Sequence, residues 1–221
     1  MKLWKGSLLL CDYLLTHPPG EPQPVLVELG AGIGLASIVA AFLWDRVYLT
    51  DYSDEILEVA EHNVSANSHL LRNLGREADV ADRVLVRQYN WQCSDNEDPV
   101  VAARYGREAR AHVRHAWTVE DAETLSVSRS VLFVAADVIY DDKITDALFH
   151  KLTQIMLPGE TLIMTLELRI NFSVEDMAVV AQGYSAFMRW IHHLLLSPEA
   201  SERPTVFRGE RLEIDFPQCV E

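Results

Sequence analysis

The chain has 221 residues, of which 49% are hydrophobic and 24% charged, the composition of an ordinary globular protein. This length suits a single α/β domain that spans residues 1–221 and buries a substantial core. The formal net charge of −14 argues against nonspecific binding to nucleic acid, which requires clustered Lys and Arg. The same charge is compatible with electrostatic attraction of a basic protein.

The three cysteines, Cys11, Cys93 and Cys219, are isolated and form no CxxC pair. They are typical of reduced thiols in an intracellular protein, not of a disulfide framework or a zinc site. The longest apolar stretch, Val179–Leu196, is interrupted by polar residues, and the sequence begins without a signal-peptide pattern. We therefore expect no metal site, no membrane association and an intracellular location.

The first predicted elements are a helix, a loop, a strand and a second helix. Apolar residues recur at helical spacing over Gly6–Leu15, which predicts an amphipathic helix. Four prolines and a glycine in Thr16–Pro24 predict a loop. Val25–Leu29 is a short apolar run typical of a buried parallel strand, and Leu35–Ala41 is predicted to be helical.

Three glycines, Gly30, Gly32 and Gly34, lie between that strand and that helix. Glycine permits the backbone angles and the close approach that such a turn needs, and the turn presents backbone N–H groups to a ligand. A dinucleotide fingerprint would place its third glycine at position 35, which is Leu35. The spacing therefore disfavours a standard dinucleotide site. The turn could bind another ligand through its backbone N–H groups, and the alternative is a tight turn that binds no ligand.

The rest of the chain alternates predicted strands and helices. The predicted strands are Arg46–Thr50, Asp82–Tyr89, Ser130–Ala136, Thr161–Leu168 and Val206–Phe216. The predicted helices are a helix from Ser53 or Asp54 to about Ala66, one over Thr145–Met156, and a long one over Val174–Leu196 capped by Ser173. This alternation predicts a mostly parallel, doubly wound sheet, in which ligands bind at the carboxyl ends of the strands.

The segment from Gln92 to Ser130 shows no strong periodicity and is predicted to be an insert. Its acidic stretch, Asp95–Asp98, is predicted to be a solvated loop. Four arginines at mostly helical spacing in Val100–Arg114 predict a basic helix, and Thr118–Asp121 is typical of a capping box that begins another helix.

Polar and aromatic residues end the second and third predicted strands. Asp51 follows Glu28 at the spacing expected of an acid that accepts hydrogen bonds from ribose hydroxyls, although an aspartate at a helix start is the alternative. Trp91 could lie against an adenine ring and Asn90 could reach the polar edge of that ring. A Trp packed in the core is the alternative reading.

Asp137 and Tyr140 follow the fourth predicted strand. A carboxylate at this place can receive an incoming ammonium group, and aromatic rings such as those of Tyr140 and Trp4 exclude water and tolerate cations. The alternative roles are a helix N-cap for Asp137 and half-buried packing for Tyr140.

Trp4–Leu10, Glu28–Ser37 and Asp137–Tyr140 together resemble the seven-β-strand protein-lysine methyltransferases that carry an Asp/Glu-x-x-Tyr motif. Supporting stretches extend almost to the end of the chain. The resemblance implies a Rossmann-like seven-β-strand fold, S-adenosylmethionine as the cofactor, and methyl transfer to a lysine of a protein substrate. For this subgroup it implies a nucleic-acid-binding substrate protein and a location in the nucleus or cytoplasm.

The resemblance also implies roles for single residues. Asp137 and Tyr140 match the positions associated with catalysis and placement of the substrate lysine. The positions expected at the cofactor site are Trp4, Glu28, Gly30, Ala31, Gly32, Gly34, Asp51, Asn90, Trp91 and Ala136. Two other functions are compatible with the residues: a small-molecule methyltransferase, and a non-catalytic S-adenosylmethionine-binding scaffold.

The sequence departs from the family pattern in three places. Asn90 stands where relatives usually carry aspartate, which could alter adenine binding. Met1 lies shortly before Trp4 and Glu221 shortly after Gln218, so we expect the segment before the first motif and the last strand of the sheet to be missing. We further expect a monomer that binds a protein substrate and makes no direct contact with nucleic acid or membranes.

Overall fold

The computed structural model describes residues 3–20, 25–73, 78–95, 97–105, 114–128, 130–168, 171–173, 178–181, 183–196 and 207–219. Five parallel strands form the central sheet, in the order β3-β2-β1-β4-β5. They are β1 (Val25–Leu29), β2 (Val47–Asp51), β3 (Val84–Gln88), β4 (Val131–Ala136) and β5 (Thr161–Thr165). A separate antiparallel pair consists of β6 (Asn171–Ser173) and β7 (Ala178–Val180).

Helices precede, separate and follow the strands. They are α1 (Lys5–Thr16), α2 (Leu35–Ala40), α3 (Asp54–Ala66), α4 (Leu70–Asn73), α5 (Val80–Arg83), α6 (Pro99–Arg104), α7 (Val119–Val127), α8 (Asp142–Ile155) and α9 (Tyr184–Leu196). No helix in the described part of the chain is both long and apolar enough to cross a lipid bilayer.

The central sheet is covered on both faces, which explains why its inner strands are mostly apolar. On β1, Leu26 packs into one cluster, and its neighbour Val27 packs into another. The first cluster includes residues of α1, α2 and α3, and the second includes residues of α7, α8 and α9. The prediction of a parallel, doubly wound sheet is confirmed.

Two predictions for the carboxyl-terminal part are wrong. The helix predicted over 174–196 begins at Tyr184, and Ser173 lies in β6 instead of capping it. β-Branched Val179 and Val180 favour the strand that β7 forms. Residues 207–219 form no strand although 206–216 was predicted as one, and 208–215 are all exposed without a pairing neighbour in the described residues. Positions 174–177 and 206 lie outside those residues.

The seven strands implied by the resemblance are therefore not all seen in one sheet, since the described residues place five in the central sheet and two in the separate pair.

The insert also differs from its prediction in two respects. Asp98 is buried instead of solvated, and the predicted basic helix is short, ending at Arg104. Residues 106–113 of that prediction lie outside the described residues. The capping box is confirmed: the Asp121 amide donates to Thr118 Oγ1 at 3.2 Å, and the Thr118 amide donates to Asp121 Oδ2 at 2.7 Å.

Candidate active site

A cavity of about 370 Å³ lies at the carboxyl ends of β1 to β4. Ten of the predicted site residues line it, from four strand ends and the start of α1: Trp4, Gly30, Ala31, Gly32, Asp51, Asn90, Trp91, Ala136, Asp137 and Tyr140. A parallel sheet collects ligands at this edge, because the loops that follow its strands converge there. The predicted rim is therefore one physical site.

The three glycines of the turn after β1 differ in what a side chain at each position would contact. All take positive φ angles, between 56° and 82°. A Cβ on Gly30 would lie 2.8 Å from Val138 Cγ1, and one on Gly34 would lie 2.6 Å from Leu49 Cδ1. A Cβ on Gly32 would meet nothing within 4 Å. Gly32 is thus the place where a ligand can approach the backbone closely.

Asp51 ends β2, and its carboxylate is held against the glycine turn. Its Oδ2 accepts from the Gly32 amide at 2.9 Å and its Oδ1 accepts from the Tyr52 amide at 2.8 Å. Burial raises the pKa of the Asp51 carboxyl, while these amide hydrogen bonds act to lower that pKa. A carboxylate has about four acceptor positions, so one that lines the cavity can also accept from a ligand's hydroxyl groups.

Glu28 and Gly34 were predicted to be cofactor-binding, but neither lines the cavity. Glu28 is buried behind the turn, where its Oε2 accepts from both the amide and the hydroxyl of Ser37. Desolvation by this burial raises the pKa of Glu28 to about 7. Glu28 therefore ties β1 to α2, and Gly34 admits the Leu49 side chain beneath the turn. Both support the site from behind.

Trp91 forms a wall of the cavity beside the glycine turn. Its ring is so close to Gly30 that a Cβ there would lie 3.2 Å from a ring carbon. The Trp91 Nε1 atom is buried and has no hydrogen-bond partner within the described residues. Asn90 is exposed, and its side-chain oxygen accepts from the Gln92 amide at 2.9 Å. The ring face suits a flat aromatic ligand such as adenine.

Asp137 is the one described non-glycine residue with a positive φ, 56°. Its Oδ2 accepts from the Gly6 amide at 2.7 Å and its Oδ1 accepts from the Glu167 amide at 2.8 Å. The side chain of Asp137 thus joins the start of α1 to the segment after β5. The N-cap of α8 is Asp141, whose Oδ1 accepts from the Ile144 amide at 3.0 Å.

Aromatic side chains at the mouth of the cavity are partly exposed. The predicted residues Trp4 and Tyr140 are 37% and 40% exposed, and Tyr52, which was not predicted, is 58% exposed. Tyr52 follows Asp51 directly, a signal that could have identified it. Other lining residues missed from the sequence are Leu3, Ser7, Ile33, Leu35, Ile56, Tyr89, Gln92, Val138 and Ile144.

S-adenosylmethionine fits the residues around this cavity. The open approach at Gly32, the buried carboxylate of Asp51 and the ring face of Trp91 can supply backbone, ribose and adenine contacts. Among the described residues, no group of three or more His, Cys, Asp or Glu is arranged to hold a metal ion. A cavity at the carboxyl ends of a doubly wound parallel sheet is where proteins of this architecture bind nucleoside-containing cofactors.

Comparison with known proteins shows what the chain is similar to. Residues 1–103 match the model of a family described as lysine methyltransferase. The chain is 32% identical to human methyltransferase-like protein 22 over 226 aligned positions, which cover 99% of this chain and 50% of that protein. It therefore spans about half the length of this relative. The family resemblance predicted from the sequence is confirmed.

Two further similarities are more distant. Mouse protein-lysine methyltransferase METTL21E is 33% identical over 104 residues, which cover 46% of this chain and 42% of that protein. The solved structure of the glycopeptide N-methyltransferase MtfA complexed with S-adenosyl-L-methionine is 14% identical, with a TM-score of 0.39. That match covers 72% of this chain and 53% of MtfA.

Proposed function

We propose that this protein transfers a methyl group from S-adenosylmethionine to the side chain of a lysine in a protein substrate. One observation carries the proposal: a single cavity is lined both by the set Gly32, Asp51 and Trp91 and by the pair Asp137 and Tyr140. The similarity to a relative named as a protein-lysine methyltransferase supports the same reaction.

The residues around the glycine turn would hold the cofactor. The carboxylate of Asp51 would accept from the ribose hydroxyls, the ring of Trp91 would lie on the adenine, and Gly32 would let the cofactor approach the backbone. When bound, S-adenosylmethionine supplies a methyl group activated by its positively charged sulfur. The Ser37 contacts of Glu28 would keep the turn in place from behind.

Asp137 and Tyr140 would place the substrate lysine. A free lysine amine has a pKa of about 10.4, so at neutral pH it arrives as ammonium and would have to release a proton to solvent before its lone pair could attack. Two backbone N–H groups fix the Asp137 carboxylate, which can attract and orient the incoming group. The rings of Tyr140 and Trp4 would exclude water from the amine. The catalytic gain is then mainly positioning.

The exposed aromatic rings at the mouth favour a protein substrate over a small molecule enclosed beneath a lid. The net charge of −14 supports a basic partner, such as a nucleic-acid-binding protein, without direct contact between this chain and nucleic acid. We also propose that the chain is a monomeric single domain. Its free cysteines favour a reducing compartment, the nucleus or cytoplasm.

The cofactor proposal is tested by calorimetric titration with S-adenosylhomocysteine. We expect binding by the wild-type protein and at least tenfold weaker binding by Asp51→Ala, because the ribose would lose its acceptor. The matched control is Asp54→Ala, which removes an exposed carboxylate at the start of α3. Failure of the wild-type protein to bind would reject the proposed function.

The reaction is tested by transfer of radiolabelled methyl groups to the proteins of a cell extract. We expect labelled protein with the wild type and a loss of at least tenfold with Tyr140→Phe or Asp137→Asn, at unchanged melting temperature for Tyr140→Phe. Label found only in small metabolites would favour a small-molecule methyltransferase. Cofactor binding without any transfer would favour the non-catalytic scaffold.

A further inference from the structure

We propose that Lys151 is a positioning residue for the cofactor, because it anchors the cavity wall at 89–92 through a buried ion pair with Asp98. The inference rests on the proposed cofactor site and concerns a residue outside it. Lys151 lies on α8, and the wall follows β3. The connection between them runs through the beginning of the insert.

The Lys151 ammonium is buried between two carboxylates. Its side chain is 2% exposed, and its Nζ lies 3.0 Å from Asp98 Oδ2 and 2.9 Å from Asp95 Oδ1. Removing two charges from water costs free energy that their attraction often fails to recover. Such a pair need not stabilise the fold, and its effect here is to fix the positions of the groups around it.

Asp98 accepts hydrogen bonds from several other groups. Its Oδ1 accepts from the amides of Val100 and Val101, both at 2.9 Å, at the start of α6. Its Oδ2 accepts from the Tyr89 hydroxyl at 3.3 Å as well as pairing with Lys151. Burial raises the pKa of the Tyr89 phenol well above its usual value, so this hydroxyl stays a neutral donor. Asp98 thus joins β3, α6 and α8 at one point.

Tyr89 connects Asp98 to the wall of the cavity. Tyr89, Asn90, Trp91 and Gln92 are consecutive and all line it. The Tyr89 amide donates to the Asp51 carbonyl at 2.8 Å, so the top of this wall is tied to β2. The Tyr89 hydroxyl ties the other end of the same side chain to Asp98. Without Lys151, the buried Asp98 charge would lose its partner and draw water or move, and the Trp91 ring would lose its fixed place.

The structure supplies a matched control for a general loss of stability. Arg104 and Glu160 form a second buried ion pair, with side chains 0% and 2% exposed and an N–O distance of 2.8 Å. Arg104 lies on α6, in the same insert as Asp98, and also donates to the Leu125 carbonyl at 3.2 Å. Neither residue of this pair lines the cavity. Breaking it should destabilise the insert without moving the wall.

The experiment compares Lys151→Met with Arg104→Met in the full chain, measuring the dissociation constant for S-adenosylhomocysteine and the melting temperature. We expect both variants to melt at lower temperature. Lys151→Met should weaken binding at least tenfold, and Arg104→Met less than twofold. Equal weakening by the two variants, or unchanged binding by Lys151→Met, would overturn the inference.

Two further variants keep the test decisive if Lys151→Met does not fold. Tyr89→Phe retains the ring and both charges and removes only the hydroxyl that contacts Asp98. We expect it to bind S-adenosylhomocysteine several-fold more weakly, whereas the exposed Tyr105→Phe should bind normally. Normal binding by Tyr89→Phe in that case contradicts the inference. If the wild-type protein itself fails to bind, the proposed function is rejected instead.

Discussion

Two buried carboxyl groups flank the glycine turn after β1, and they differ in what they face. Asp51 faces the cavity and is held by two backbone amides, whereas Glu28 lies behind the turn and is held by Ser37. Burial raises the pKa of both groups. One acid is therefore available to a ligand, and the other is a structural link with a cost that depends on pH.

The Glu28 carboxyl should make the protein less stable as pH rises. Its pKa in the folded protein is about 7 against a reference of 4.5. Between these values the folded state keeps a proton that the unfolded chain releases, so the contribution present below pH 4.5 is lost as pH rises to 7. The total is roughly 3 kcal/mol at about 1.4 kcal/mol per pKa unit. In Glu28→Gln this part of the pH dependence should disappear.

Urea unfolding between pH 5 and 8 measures this effect. The matched control is Glu123→Gln, which changes an exposed carboxyl and should retain the wild-type dependence. At pH 8 Glu28→Gln should be at least as stable as the wild type. A variant that keeps the full wild-type slope would refute the assignment to Glu28.

At the scale of elements, the attachment of α1 decides the shape of the catalytic side of the site. Gly6 donates its amide to Asp137 Oδ2, and its carbonyl accepts from the Thr165 hydroxyl at 2.7 Å. The Asp137 amide in turn donates to the Thr165 carbonyl at 2.8 Å. α1, β4 and β5 are thus joined by three hydrogen bonds at one point. Trp4, two residues earlier at the N-cap of α1, is brought to the cavity by the same contacts.

Replacing Gly6 by alanine should destabilise the protein, although alanine is the better helix former by about 1 kcal/mol. A Cβ on Gly6 would lie 2.6 Å from Asp137 Oδ2, so α1 or Asp137 must move. We expect a loss of about 1–3 kcal/mol, typical of overpacking, and weaker methyl transfer. Thermal unfolding and the radiolabel assay measure the two effects.

Gly20→Ala is the control, since a Cβ there would meet nothing within 4 Å. It should leave both stability and transfer close to the wild-type values. If Gly6→Ala were as stable as this control, the close contact with Asp137 would not constrain α1.

The elements of the sheet were predictable because they are buried on both faces. Val25–Leu29 and Val131–Ala136 are mostly apolar runs with no competing helical period, and both were found within a residue of their predicted bounds. Ala178–Val180 and the helix after it formed one apolar stretch in the sequence, and periodicity could not divide it. The boundary lies at Gly183, which has a φ of 77°. A tertiary contact sets this boundary, because a Cβ on Gly183 would lie 2.9 Å from the Tyr140 amide.

At the scale of the whole molecule, the net charge of −14 should govern encounters with a basic substrate. Attraction between exposed charges is screened over about 10 Å at 0.1 M salt and over about 3 Å at 1 M. We expect methyl transfer to the proteins of a cell extract to fall several-fold when the NaCl concentration is raised from about 0.05 M to about 0.5 M. Binding of S-adenosylhomocysteine should change much less, because its contacts are local and partly buried. Equal salt dependence of the two would argue against a basic protein substrate.

The sequence by itself determined the parallel sheet and the glycine turn, because both follow from local patterns of apolar residues and glycines. Some of the ten predicted residues that line the cavity followed from such patterns, and others, such as Ala31 and Ala136, only from the family resemblance. The sequence did not distinguish the residues in contact with the cavity from those behind it. Glu28 and Gly34 belong to the same motif as Gly32, yet their atoms face the opposite side of the turn. Only the path of the backbone decides which side each residue faces.

The acidic stretch before α6 shows the same limit at longer range. Asp95 and Asp98 were predicted to be solvated because acidic residues without periodicity are usually exposed. Their partner, Lys151, lies more than 50 residues later, at a distance in sequence that no local pattern spans. Asp95 is exposed, as predicted, whereas packing of α8 against the insert brings the Lys151 ammonium to Asp98, and their mutual attraction makes burial of this pair possible. That meeting is a property of the tertiary structure alone.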